Sequence, residues 1–209
     1  MLKLSHKLLN FSRIEKINGK LIYVSPGVFN PKISLSSVFL AKNLEVREGD
    51  YVLDLGCGTG IQAVFAAEKA RKVVATDVNP LAVKCTWINA LINGVAGKVE
   101  VRLGDLFEPV KGEVFDLIIF NPPYLPVNPQ GDLDRAWAAG ANLELLKRFL
   151  AEVASHMHRE SLLEVVFSTL SNLNWFLKGL RRAGLKPSIA KVKRLPFEKL
   201  VLIKARPRF

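Results

Sequence analysis

Two groups of residues in this chain have the types and spacing of a reactive site. The first is Asn121-Pro122-Pro123-Tyr124, which follows the apolar run Leu117-Ile118-Ile119-Phe120. Asn121 offers a side-chain carbonyl oxygen and Pro122 a main-chain one. Proline has no N–H and a fixed φ, so the Pro122-Pro123 loop is rigid and the Pro122 carbonyl can point inward. Two acceptors side by side hold both hydrogens of an –NH₂ group, and Tyr124 offers a flat face to a planar amide or base. Such a grip favours the positive charge that grows on a nitrogen as it is alkylated, which is tighter binding of the transition state than of the ground state.

The second group is spread over three loops. Asp54-Leu55-Gly56-Cys57-Gly58-Thr59-Gly60 follows a buried strand and opens a helix, and its glycines allow a sharp turn and close approach of a ligand. A dinucleotide fingerprint requires its third glycine one residue later, where Ile61 stands, and a P-loop would end in Gly-Lys-Ser/Thr. A pyrophosphate is therefore disfavoured. Asp54 would repel phosphate and suits the ammonium of a bound amino acid. Asp77 ends the next strand, where its two oxygens match the two hydroxyls of a ribose. Asp105 ends the strand after that. It can accept from an adenine amino group, and Leu106 gives that base an apolar wall and a main-chain donor. Ammonium, ribose and adenine together describe S-adenosylmethionine, leaving S-adenosylhomocysteine as product. The expected reaction is an in-line displacement at the sulfonium methyl by a planar nitrogen. Positioning supplies up to about 7–11 kcal/mol in such reactions, and the methyl is already activated, so no metal is expected.

These residues need a frame that brings strand ends together. From Tyr51 the pattern alternates strand and helix: strands at 51–55, 72–76, 99–103, 115–120 and 162–168, helices at 61–70, 80–92, 142–156 and 173–183. Asn79 reads as an N-cap with Pro80 at the first helical position, and Gly184 as the end of the last helix. Strands at 189–193 and 200–204, joined by a short turn at Pro196, imply one antiparallel member. The alternation predicts an α/β fold with a mostly parallel sheet covered on both faces. Residues 1–48 read as an N-terminal extension packed on the core, with a strand at 21–24 after the turn signal Asn18-Gly19 and a helix at 36–44. Residues 49–209 read as the catalytic domain.

With 209 residues and 49% apolar composition, the chain has the make-up of one globular domain. No apolar run nears the ~20 residues of a membrane helix, and the start lacks the apolar segment of a signal peptide, so a cytoplasmic protein with no membrane contact is expected. Cys57 and Cys85 make neither a disulfide framework nor a zinc site. His156 and His158 read as exposed histidines at a helix end rather than a metal pair. The net charge of +11 is uneven: residues 1–32 carry +5, residues 178–209 carry +10, and the middle is acidic. Basic ends of this kind suit RNA or a ribonucleoprotein. Two glutamines against 30 Lys and Arg hint at a heat-stable source.

The motifs resemble those of class I S-adenosylmethionine-dependent methyltransferases with an Asn-Pro-Pro-Tyr motif. The chain is most similar to the HemK family of release-factor glutamine methyltransferases, in its archaeal and eukaryotic branch. The matching runs are 52–60, 75–80, 104–107 and 120–126, with Arg135-Ala136-Trp137-Ala138-Ala139-Gly140 similar to the family's Ala-Trp-x-Gly-Gly stretch. The resemblance implies a Rossmann-like sheet of seven strands in order 3-2-1-4-5-7-6, the last antiparallel. It implies that Asp54, Gly56, Asp77, Asp105, Leu106 and Asn121 bind the cofactor, with Gly58 and Gly60 in the same loop. Residues Asn121 to Tyr124 would bind the target amide. A small zinc-binding activator subunit is the implied partner. Two positions depart from the family: Asn30-Pro31-Lys32-Ile33-Ser34-Leu35-Ser36 lacks the branch's acidic pair, so Ser34 or Ser36 must supply the hydroxyl over the cofactor, and Ala139 replaces a glycine. The expected substrate is a glutamine side chain of a translation release factor. The same grip also suits an adenine amino group in RNA or DNA, or a lysine amine. A scaffold that keeps the fold without catalysis is the reading that both intact sites oppose.

Overall fold

The computed structural model describes residues 11–32, 35–131, 134 and 136–208. Strands β1 (Arg13–Ile17) and β2 (Lys20–Val24) form a hairpin whose Asn18 and Gly19 have φ of 48° and 81°. A two-residue turn between twisted strands demands those positive values. The sequence pattern gives β2 but not β1, because β1 wears its alternation inverted. Glu15 is buried and paired with Lys32 at 2.7 Å, while Ile14 is exposed.

Helix α1 (Leu35–Ala41) leads into the main sheet. There follow β3 (Tyr51–Leu55), α2 (Ile61–Ala66), β4 (Lys72–Asp77), α3 (Pro80–Ile92), β5 (Val99–Leu103) and β6 (Phe115–Phe120). Helix α4 (Glu144–Glu152), β7 (Met157–Ser168), α5 (Leu173–Arg182), β8 (Leu185–Arg194) and β9 (Lys199–Pro207) complete it. The sheet order is β5-β4-β3-β6-β7-β9-β8, with β9 antiparallel to both neighbours. Counted from β3 as the first strand, this is the expected 3-2-1-4-5-7-6.

Period-two alternation divides the sheet into two apolar faces. Ile118 and Phe120 face one cluster, with Phe149 and Phe176 of the covering helices. Leu117 and Ile119 face the other, with Ala63 and Ala66 of α2. Asn79 caps α3, its side chain accepting from Leu81 N at 2.9 Å. Helix α2 stops at Ala66 rather than Ala70, and β7 begins at Met157 rather than Leu162. His156 is not exposed. It is buried with its ring stacked on Phe107, and its Nδ1 donates to the Glu113 carbonyl at 2.8 Å, while His158 lies on β7 and donates from Nε2 to Asp116 at 2.9 Å. Among the described residues, no helix is long and apolar enough to cross a membrane.

The parallel register places the site. Leu55 pairs with Thr76 and Phe120, and Asp77 pairs with Leu103. The residues that follow these positions therefore emerge along one edge. The chain reverses its direction of travel across the sheet between β3 and β6, which opens a crevice between them.

Candidate active site

A cavity of about 420 Å³ lies over that crevice. Gly56, Gly58, Asp77, Asp105, Leu106, Asn121 and Pro123 all line it, brought together from four loops. Gly56 and Gly58 have φ of 68° and 56°, so the loop bends there at little steric cost and leaves its backbone open to the cavity. Leu106 also has a positive φ, 48°, and is buried. Asp77 is fixed by two main-chain donors, Gly58 N to Oδ2 and Asn79 N to Oδ1, each at 2.9 Å. Burial pushes its carboxyl up, against the pull of those N–H groups. Asp105 is paired with Arg148 of α4 at 2.8 Å.

Two residues of the expected set stand elsewhere. Asp54 is buried beneath the glycine loop and does not line the cavity. It accepts from Ala63 N at 2.9 Å, tying the loop to the first turn of α2, and burial pushes its carboxyl up to about 7. Its hydrogen bond from Ala63 N holds the shape of the loop that lines the cavity. Gly60 (φ 73°) also stays outside the lining. A Cβ there would lie 2.6 Å from Thr86 Cγ2, so Gly60 allows α3 to pack against the loop.

The acceptor motif divides between two cavities. A smaller one, of about 90 Å³, is lined by Pro122 and Tyr124, and Asn121 lines both. The Asn121 amide is oriented: its Nδ2 donates to Ser37 Oγ at 2.9 Å, while its Oδ1 is buried without a donor. A buried carbonyl oxygen without a partner is costly, and one at the wall between two cavities is set to receive an N–H. Tyr124 tilts against Phe167, its ring centroid 6.1 Å away, and burial pushes its phenol up to about 12. It forms a wall of the smaller cavity rather than a free stacking face.

Several site residues were missed in the sequence. Ser37, on α1, lines the large cavity and accepts from Asn121 Nδ2. Ser36 lines the smaller cavity, and Ser34 lies outside the described residues. A serine in a helix gives no signal of its direction without the helical phase. Arg148 and Leu145 of α4, and Gly27 to Phe29 before α1, also line the large cavity. The stretch after the motif folds back over the mouth: Leu125 N donates to Trp137 O, and Ala139 N to Leu125 O, both at 2.9 Å. Ala138, Ala139 and Gly140 then line the large cavity, and Trp137 packs on Phe29 with centroids 5.7 Å apart. Arg135 lies outside the described residues. The turn between β8 and β9 reaches the acceptor side. Its Leu195 and Glu198 line the smaller cavity.

Residues 20–174 match the family described as Methyltransferase small domain. A relative in Methanocaldococcus jannaschii, provisionally named a protein N5-glutamine methyltransferase, is 34% identical over 92% of this chain and 98% of its own length. The release factor glutamine methyltransferase of Aquifex aeolicus is 39% identical over 53% of this chain and 41% of its own. Trm5b from Pyrococcus abyssi shares the fold, with a TM-score of 0.69 and 23% identity across 95% of this chain. The chain spans 56% of that structure.

Proposed function

The chain belongs to the methyltransferase small domain family, and we propose that it moves the methyl group of S-adenosylmethionine onto the side-chain amide nitrogen of a glutamine in a translation release factor. One observation carries this reading: the buried, partnerless Oδ1 of Asn121 stands at the wall shared by a donor-sized cavity and a small one. The residues of the large cavity fit the cofactor. Asp77, locked by two main-chain N–H groups, would hold the ribose. Asp105 and Leu106 would hold the base, and the open backbone at Gly56 and Gly58 admits the amino acid end. When bound, S-adenosylmethionine supplies a methyl group already activated by its sulfonium charge.

Residues of this chain do the rest. Asn121 Oδ1 and the Pro122 carbonyl accept the two N–H groups of the target amide and fix its nitrogen at the junction of the cavities. Ser37 keeps the Asn121 oxygen turned toward that junction. The Pro122-Pro123 pair cannot flex, so the acceptor pair is built before the substrate arrives. Residues 125–131 and 136–140, with residues 27–29, narrow the mouth and exclude water. Residues 11–32 and 35–48 act as an added layer on a catalytic domain that begins near residue 49.

A second reading is methylation of an adenine amino group in RNA. The +10 charge of residues 178–209 favours it. A small zinc-binding activator subunit and a cytoplasmic setting beside the translation machinery belong to the first reading. The test is tritiated methyl transfer into purified release factor and into ribosomal or transfer RNA, with Asn121→Ala as control. Label in the release factor that disappears in the variant is the expected result. Label in RNA alone would replace the glutamine reading by the adenine one.

A further inference from the structure

The smaller cavity is walled by leucines from several elements, Leu35, Leu125, Leu170, Leu195 and Leu200 among them. One ionisable carboxylate stands in this apolar lining, that of Glu198 in the turn between β8 and β9. The turn is closed by Leu195 N donating to the Glu198 carbonyl at 2.8 Å. The fully buried Ser168, at the end of β7, donates from Oγ to Glu198 Oε2 and accepts from Leu170 N at 3.1 Å. Tyr124 lines the same cavity as Glu198, and its phenol interacts with Ser168 and feels the Glu198 carboxylate, which helps to push it up. A serine has one proton and two acceptor sites. With that proton on Glu198, Ser168 offers the Tyr124 hydroxyl only an acceptor site. The chain Tyr124, Ser168, Glu198 is therefore directed, and Glu198 sets its polarity.

A carboxylate partly withdrawn from water among leucines is costly unless it is paired, and the acceptor site needs no anion for its two carbonyl grips. We propose that Glu198 is a specificity-determining residue of the acceptor cavity: it positions Tyr124 through Ser168, and its charge admits an acceptor group bearing N–H donors while repelling an anionic one of the same shape. The inference rests on the reading that the smaller cavity receives the substrate side chain. A glutamine and a glutamate are the discriminating pair, since they differ at the cavity end by an NH₂ against an oxygen anion.

The test uses the full chain saturated with S-adenosylhomocysteine and three peptides that differ at one central residue flanked by glycines: glutamine, glutamate or lysine. Dissociation constants are measured for wild type, Glu198→Gln and Glu198→Ala, and methyl transfer is followed with S-adenosylmethionine. In Glu198→Gln the preference for the glutamine over the glutamate peptide is expected to fall about tenfold, since a like charge facing the ligand has been removed. Positioning is read separately. Glu198→Ala is expected to lower kcat by about tenfold, and Glu198→Gln, whose amide oxygen still accepts from Ser168, to recover most of it. An unchanged preference in Glu198→Gln, or a kcat equally low in both variants, would overturn the proposal while leaving the glutamine reading in place. Wild-type transfer to the lysine peptide alone would overturn the glutamine reading. Glu198 would then stand if Glu198→Gln weakened lysine-peptide binding about tenfold, as loss of a charge-assisted bond requires, and fall if it did not. Binding of none of the three peptides would overturn the proposal.

Discussion

At the scale of single residues, the site turns on which way one amide points. The Asn121 amide would be free to rotate about its last bond, and the bond from its Nδ2 to Ser37 Oγ at 2.9 Å holds it. Asn121→Ala removes the oxygen that accepts the substrate N–H without emptying the apolar core. Its kcat is expected to fall by about 10²–10³-fold with little change in Tm. Ser37→Ala keeps the oxygen but releases its direction. There kcat should fall about tenfold, by more than the affinity for S-adenosylhomocysteine falls. Single-turnover rates with a glutamine peptide, set beside donor titrations, check both. Asp54 offers a different test, because it is buried outside the cavity lining. Its carboxyl has a folded-state pKa of about 7 against an ordinary 3.8. Below about pH 4 both folded and unfolded chains carry that proton. As pH rises toward 7 the unfolded chain releases it first, so stability falls across that window and levels off above it. Asp54→Asn cannot ionise, and its amide oxygen can still accept from Ala63 N. Between pH 4 and 7 its unfolding free energy should decline less than that of wild type, by up to about 4 kcal/mol, in urea titrations at several pH values. Equal slopes would mean that Asp54 is charged in the folded protein.

At the scale of elements, the glycine loop shows how packing and ligand access divide one motif. Gly56 and Gly58 open the backbone to the cavity, whereas Gly60 faces Thr86 on α3, with space for hydrogen but not for a methyl group. Gly60→Ala must adopt a φ of 73° and push against Thr86 Cγ2, at an expected cost of about 1–3 kcal/mol in urea unfolding. Adding Thr86→Ser removes that Cγ2 and should restore part of the loss, whereas a strain confined to the backbone would not respond. The same division marks what the sequence could disclose. Bounds of β3, α3, β5 and β6 were legible because each begins or ends on a strong local signal: a buried β-branched run, the Asn79-Pro80 start, or the Pro-Pro stop. The meeting of Asp77, Asp105 and Asn121 followed from strand order alone, since residues at the carboxyl ends of adjacent parallel strands must come together. The burial of Asp54 was not legible, because strand alternation says that it leaves the sheet face, not whether it meets a ligand or the N–H groups of α2. Ser37 and Glu198 were hidden for a related reason. Each reaches the site from an element with no contact to the motifs along the chain, and only tertiary packing aims them. The inverted alternation of β1 hid a whole strand, because Glu15 is buried through a partner, Lys32, that lies seventeen residues away.

At the scale of the whole molecule, the N-terminal hairpin and the donor loop are joined through one side chain that does not itself line the cavity. Asn89, fully buried on α3, accepts from Tyr23 N at 2.6 Å, and its Nδ2 donates to Tyr23 O at 2.7 Å and Thr59 O at 2.8 Å. One amide thus bridges β2, α3 and the loop that runs from Gly56 to Gly60. Cutting it to Ala leaves buried main-chain groups on two elements short of partners, a loss of about 3 kcal/mol in unfolding free energy. If the hairpin were mere decoration, the damage would end there. Thr59 also lines the large cavity, however, and Gly27 to Phe29, just beyond β2, line it as well. Releasing both sides of the bridge should therefore loosen the walls of the donor site. Asn89→Ala is expected to weaken S-adenosylhomocysteine binding about tenfold at a temperature where the protein remains folded. Asn93, one turn along the same helix, gives the control. It ties Leu21 N and O to the end of α3 at 3.3 and 2.8 Å from a half-buried position, with no bond to the glycine loop among the described residues. Asn93→Ala should cost less than about 1 kcal/mol and leave donor affinity alone. Equal donor affinity in the two variants would show that the hairpin and the donor loop are held independently.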